Sequence, residues 1–190
     1  MKNFSIDDIL KVYQRNGYPI DKTKLLITGI RSNDQTPNIF NDAIIWIRWT
    51  SNAVSLKQAP ATTDPGLYYL LNPCNSKGTA IVKPGFYQDC WGLGLHNGKY
   101  EALVQVGNIT LIRDFNRDKV INYNSGREET VNNAGINCHH AGVDSQTVDN
   151  WSAGCQVFKR LSDWYPFLND CKQAKQKRFS YGLLLESDFQ

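Results

Sequence analysis

The residues able to do covalent chemistry gather in one short stretch. Residues 149–158 read Asp-Asn-Trp-Ser-Ala-Gly-Cys-Gln-Val-Phe, and residues 135–142 read Gly-Ile-Asn-Cys-His-His-Ala-Gly. The chain has three histidines, and two of them, His139 and His140, stand just ahead of Cys155. A cysteine attacks a carbonyl carbon as the thiolate, and a nearby imidazole can generate it. The intervening stretch, GVDSQTVDNW, is loop-like and long enough to fold a histidine-bearing strand back onto the cysteine. Ser152, Ala153 and Gly154 are small and let the backbone turn sharply. The N–H groups of Gly154 and Cys155 are then candidate oxyanion donors. Side chains alternate along a strand, so only one of Cys138 and His139 can face Cys155, and His140 must face away if His139 faces in. His139 is therefore the expected base, and an activated thiol at Cys155 is expected to alkylate quickly at neutral pH.

Other polar groups carry weaker readings. His96, in GLGLHNGKY, reads either as a strand-end histidine bonded to backbone or as a wall of a substrate groove. His140 is placed with it at the edge of that groove. Trp151, beside the cysteine turn, is the tryptophan expected to touch a ligand; Trp46, Trp49, Trp91 and Trp164 are expected in the core. Asp114, Asn116, Asp118 and Asn122 have the spacing of a calcium loop, but Lys119 stands where that loop needs Gly and Ser125 where it needs an acid. A solvated β-turn is the expectation. Glu128 and Glu129 are adjacent, and adjacent strand residues diverge, which argues against paired-carboxylate chemistry.

The elements that position these groups are mostly strands. Residues 4–15 predict a helix capped by Ser5 and stopped at Gly17, with Ile6, Ile9, Leu10 and Tyr13 on one face. Residues 24–30 and 43–49 predict strands joined by a long polar loop. Short strands are expected at 53–56, 66–71, 79–82, 85–87, 92–96, 102–106, 109–113 and 120–123, separated by Pro, Gly, Asn and Asp. That spacing points to a sandwich or barrel. Residues 159–176 predict a second helix broken at Pro166, and residues 179–185 a closing strand.

Bulk properties exclude several classes. The net charge is +3, and the basic run at residues 172–178 reads as the solvated face of a helix, not a nucleic-acid surface. No apolar run approaches the length of a membrane helix. The five cysteines form no C-x-x-C pair, which argues against zinc-ribbon and thioredoxin readings, and their odd number leaves at least one free thiol. The N-terminal stretch lacks a signal peptide's apolar core, so the expectation is a chain that stays in the cytoplasm, is released or virion-associated, or is a mature form.

Four landmarks in order resemble one family. Ser152, Gly154 and Cys155 match three residues of a Ser-His-Gly-Cys motif, and residues 136–139 are similar to the histidine-bearing strand that precedes it. Residues 61–66 (Ala-Thr-Thr-Asp-Pro-Gly) are similar to a Ser-Thr-Gly-Lys-Pro-Gly turn, and residues 80–87 to a Thr-Pro-x-Gly-x-Tyr strand. On these motifs, which cover roughly residues 53–158, the chain resembles the L,D-transpeptidases, particularly phage-borne and Bacteroidetes-type members. Ala153 stands where that family has a second histidine, and His140 where it usually has Gly. The resemblance implies a mainly β fold with an α+β minority: a YkuD-like β-sandwich core with an N-terminal and a C-terminal helix. Residues 1–52 would be an extension packed on a catalytic domain at 53–190. It implies a cysteine acyl-transferase that forms a thioester on Cys155 with peptidoglycan stem peptides. His139 would be base and then acid, its other ring nitrogen held by a backbone carbonyl, with no metal and no cofactor. An amine acceptor gives cross-linking, and water gives carboxypeptidase or endopeptidase activity. A non-catalytic wall-binding or virion module is the alternative outside enzymes.

Overall fold

The computed structural model describes residues 2–190. Helix α1 (Ile6–Arg15) begins at a capping box: Ser5 Oγ accepts the Asp8 N–H at 3.1 Å while the Asp8 carboxylate accepts the Ser5 N–H at 3.0 Å. The chain leaves it through Asn16 and through Gly17 at φ +68°. Ile9, Val12 and Tyr13 form its buried face.

Strands β1 (Leu26–Arg31) and β2 (Asp42–Trp49) explain that face. Their alternate residues split between two cores. Ile27, Ile44 and Trp46 enter the central core, while Leu26, Ile30, Ala43, Ile45 and Ile47 pack beneath α1. Burial on both sides makes these strands continuously apolar. β3 (Val54–Thr62) pairs antiparallel with β2 along its whole length. There follow α2 (Leu67–Leu71), β4 (Thr79–Val82), β5 (Gly85–His96), β6 (Tyr100–Gln105), β7 (Ile109–Asp114), β8 (Glu128–Val131), β9 (Cys138–His140), β10 (Gln156–Phe158), α3 (Leu161–Gln173), β11 (Phe179–Leu185) and a 3-10 turn, Glu186–Phe189.

The chain is mainly β, with an N-terminal and a C-terminal helix and two sheets. The larger sheet closes on itself in the order β1-β11-β5-β6-β9-β10-β3-β2, and β4-β7-β8 form a smaller sheet. β1 and β2, from the stretch read as an extension, are staves of this barrel. Trp164, Phe167, Leu168 and Cys171 of α3 join the central core with Trp46 and Phe158. Ala80, Val82, Ile109 and Leu111 of the smaller sheet reach the same core; Ile81 and Ile112 instead meet Leu70 of α2 and Ile121. No helix among the described residues is long and apolar enough to cross a membrane.

Several local expectations change. Residues 66–71 are helical from Leu67, because Leu70 docks into the apolar pocket of the smaller sheet; a short apolar run carries no decisive period. The two strands expected at 85–87 and 92–96 are one strand, with Asp89 at φ +49° and a register shift opposite Phe179 and Tyr181 marking a β-bulge. Residues 120–123 are not a strand. The Val120 and Asn122 N–H groups are taken by the side chains of Asp118 and Asp114, which removes the donors a ladder needs. β8 was missed because Glu128-Glu129 look unlike a strand; Lys83 neutralises the first, and Lys77 and Arg113 the second. Helix α3 runs unbroken through Pro166, whose ring is exposed while Trp164, Phe167 and Leu168 anchor the opposite face.

Candidate active site

Closure of the barrel brings the cysteine turn to the histidine pair. β9 and β10 run parallel with Gln156 opposite Cys138, Val157 opposite His139 and Phe158 opposite His140. Alternation then sorts the side chains. Cys138 and Phe158 enter the central core, whereas Cys155, Val157 and Ala141 form a small outer cluster with Phe40 and Trp151. His140 packs on Tyr100, at 4.5 Å between ring centroids, and on Trp164 of α3. His139 turns the other way. A ring nitrogen of His139, a ring nitrogen of His96 and the Cys155 Sγ all lie within 4.8 Å of one another.

The turn before Cys155 is locked by Ser152. Its buried Oγ donates to the Cys155 carbonyl at 2.8 Å and accepts the Gly154 N–H at 3.2 Å. Ser152 is thus a brace for the backbone. The Gly154 N–H, expected as an oxyanion donor, is committed to that brace. Gly154 sits at φ +123°, and a Cβ there would lie 2.7 Å from the Ala80 carbonyl oxygen, so the turn can hold only glycine against β4. The loop ahead of the turn is pinned by Asn38, whose Oδ1 accepts the N–H groups of Asp149 and Leu67 and whose Nδ2 donates to Asp149.

The imidazole is oriented with equal care. His139 Nδ1 lies 2.8 Å from the His140 carbonyl oxygen, which can only accept, so Nδ1 carries the proton. The Tyr100 hydroxyl, 3.1 Å from the same nitrogen, shares it. Nε2 is left with its lone pair, buried and without a hydrogen-bond partner. The His96 ring stacks on His139 at 4.0 Å between centroids. Asn137 uses its Oδ1 to accept the Gln105 N–H, which aims its amide N–H at His96 Nδ1, 3.0 Å away.

Burial favours the neutral form of each group. Burial, then the neighbouring His96, pushes the His139 imidazolium down to about 3. Burial pushes the Cys155 thiol up to about 11, opposed only by the Asn137 N–H, which points at Sγ from 3.4 Å. The thiol proton is directed to the Gly135 carbonyl, also at 3.4 Å. Burial thus favours thiol plus imidazole over the ion pair, which works against fast alkylation at neutral pH. A polar cleft of about 230 Å³ lies beside the turn, lined by Ala153, Ala80 and Ala134 with Cys74, Arg113 and Asn133.

The other candidate groups fall elsewhere. Trp151 is half-buried against the Cys155 cluster. In the calcium-like loop, Asn116 bonds to Asp118 at 2.9 Å, and Asp118 and Asp114 cap backbone N–H groups of their own loop. Glu128 and Glu129 diverge to separate lysines. Tyr100 and Asn137 were missed as site residues. Asn97-Gly98 was the available signal: both take positive φ, and the Lys99 N–H closes their turn onto the His96 carbonyl, which sets Tyr100 opposite His96. No protein-family model, curated protein or solved structure matches the chain.

Proposed function

We propose that the chain is an L,D-transpeptidase-like cysteine acyl-transferase acting on peptidoglycan stem peptides, with Cys155 as nucleophile and His139 as base. One observation carries this reading: a buried thiol converges with a histidine whose Nδ1–H is fixed by a backbone carbonyl and whose Nε2 lone pair has no partner. An imidazole in that tautomer has a free Nε2 lone pair, the acceptor a general base needs, with no other protein group to bond it.

In the proposed reaction, His139 Nε2 takes the Cys155 proton as the sulfur–carbon bond to the substrate carbonyl forms. The carbonyl oxygen becomes an oxyanion, for which the Cys155 N–H is the turn's remaining candidate donor, since Ser152 holds that of Gly154. Collapse breaks the carbon–nitrogen bond, His139 returns the proton to the departing amine, and a thioester remains on Cys155. An acceptor amine or water then releases the acyl group by the reverse sequence. The stem peptide would approach along the cleft beside Ala153. Alanine there gives that wall no polar side chain, where the family in question carries a histidine.

The test is intact-mass analysis after treatment with a carbapenem, with Cys155→Ser as control. A single covalent adduct that the serine variant does not form supports the reading. Muropeptide digests then assign the acceptor, since dimers mean transfer and shortened monomers mean hydrolysis. Absence of both adduct and muropeptide turnover would sink the proposal and leave the wall-binding or virion-module alternative.

A further inference from the structure

We propose that His96, His139 and Cys155 also form a zinc site, with one coordination position left for water or an incoming ligand. Among the described residues this is the one group of three or more histidine, cysteine and carboxylate side chains whose ligand atoms converge, all within 4.8 Å. Two imidazoles and a thiolate are a ligand set suited to zinc, and they are poor ligands for calcium or magnesium, which need oxygen. The His139 ring is already held as metal-bound histidines are: one nitrogen bonds a backbone carbonyl, and the other is buried without a partner.

The site needs a modest contraction to bind. Tetrahedral zinc with ordinary bond lengths places neighbouring ligand atoms roughly 3.3–3.6 Å apart, about an ångström inside the present limit. His96 is the ligand that must move, and in doing so its ring gives up either the Asn137 amide at Nδ1 or the Asn97 amide at Nε2, each now 3.0 Å away. It is the last residue of β5, it is half-buried, and the Asn97-Gly98 turn follows it directly. Its stack on His139 must open, because two stacked rings cannot both direct a lone pair at one ion. On binding, zinc accepts one nitrogen lone pair from each imidazole and replaces the proton of the Cys155 thiol, which leaves to solvent. The product is a zinc thiolate with no change of oxidation state.

Zinc held in this way occupies both the sulfur and the His139 lone pair, so it blocks acyl transfer. That consequence rests on the proposed function; the binding itself does not. The experiment uses the full chain carrying Cys74→Ser, which removes the exposed thiol near the cleft. Cobalt(II) is titrated into metal-free protein, followed by zinc. The expected result is one equivalent of cobalt with a thiolate-to-cobalt charge-transfer band, displaced by zinc and not by magnesium. The band disappears in Cys155→Ser, and affinity falls about tenfold or more in His96→Ala. Protection of Cys155 from alkylation by zinc, reversed by chelator, gives a readout without a site substitution. Absence of the band, or a band that survives both substitutions, overturns the zinc site. Carbapenem acylation of the metal-free chain is scored separately, so an acylating protein without a cobalt band refutes only the metal, and a cobalt-binding protein that never acylates refutes only the acyl-transferase.

Discussion

The protonation state of Cys155 can be tested directly by alkylation. The perturbation is pH, applied to the Cys74→Ser chain so that the exposed thiol does not compete. Burial raises Cys155 to about 11, against roughly 8.5 for a free cysteine. At pH 7.5 the thiolate fraction then falls from about one-tenth to about 3 × 10⁻⁴, a loss of about 300-fold. A more basic thiolate is intrinsically more nucleophilic, and with a Brønsted slope near 0.45 the gain is about 13-fold. The net expectation is alkylation about 20-fold slower than free cysteine, before any loss from restricted access to a residue only 7% exposed. The rate, followed by intact mass with iodoacetamide, should rise about tenfold per pH unit from pH 7 to 10 without a plateau. Because His139 is neutral above about pH 3, His139→Asn should leave this profile nearly unchanged while abolishing turnover. A plateau at neutral pH, or a rate above that of free cysteine, would show a thiolate–imidazolium pair and refute the neutral-pair reasoning.

Other consequences follow from the same geometry. Gly154→Ala forces a side chain into a positive-φ position 2.7 Å from the Ala80 carbonyl, and should cost about 2 kcal/mol or more in urea unfolding together with loss of acylation. Burial holds His139 neutral down to about pH 3, whereas an unfolded histidine takes up its proton near 6.5. The unfolded state therefore binds the extra proton between those values, so stability falls as pH drops through that window and is unaffected above it. Replacing His139 with Gln should flatten that part of the acid unfolding curve. Tyr100→Phe removes one partner of His139 Nδ1 but leaves the His140 carbonyl, so turnover should drop less than about tenfold, far less than in His139→Ala. Asp170 accepts from the buried Trp46 Nε1 at 2.8 Å and pairs with Lys57 and Arg48; Asp170→Ala strands that indole N–H and should cost about 2–3 kcal/mol by thermal or chemical unfolding.

Local signals in the chain were enough for much of this structure. Ser5, Asp8 and Gly17 start and stop α1 through contacts only a few residues long, so they act wherever the helix packs. The period-two and continuously apolar runs specify β1, β2, β6, β7 and β11 because strand geometry ties burial to alternate residues. The same alternation separates His139 from His140 and from Cys138, which is why the histidine that faces Cys155 is legible in the sequence. What the chain alone does not encode depends on distant partners. Residues 67–71 become helix because Leu70 meets the smaller sheet, and α3 survives Pro166 because its opposite face is anchored in the barrel. Closure of β9 onto β10 sets His139 beside Cys155, and the β5–β6 hairpin adds His96 and Tyr100 from forty residues earlier. Only that assembly removes water from the thiol and the imidazole. Residue type and order pointed to a candidate nucleophile and a candidate base; burial, a property of the whole fold, favours the uncharged form of each.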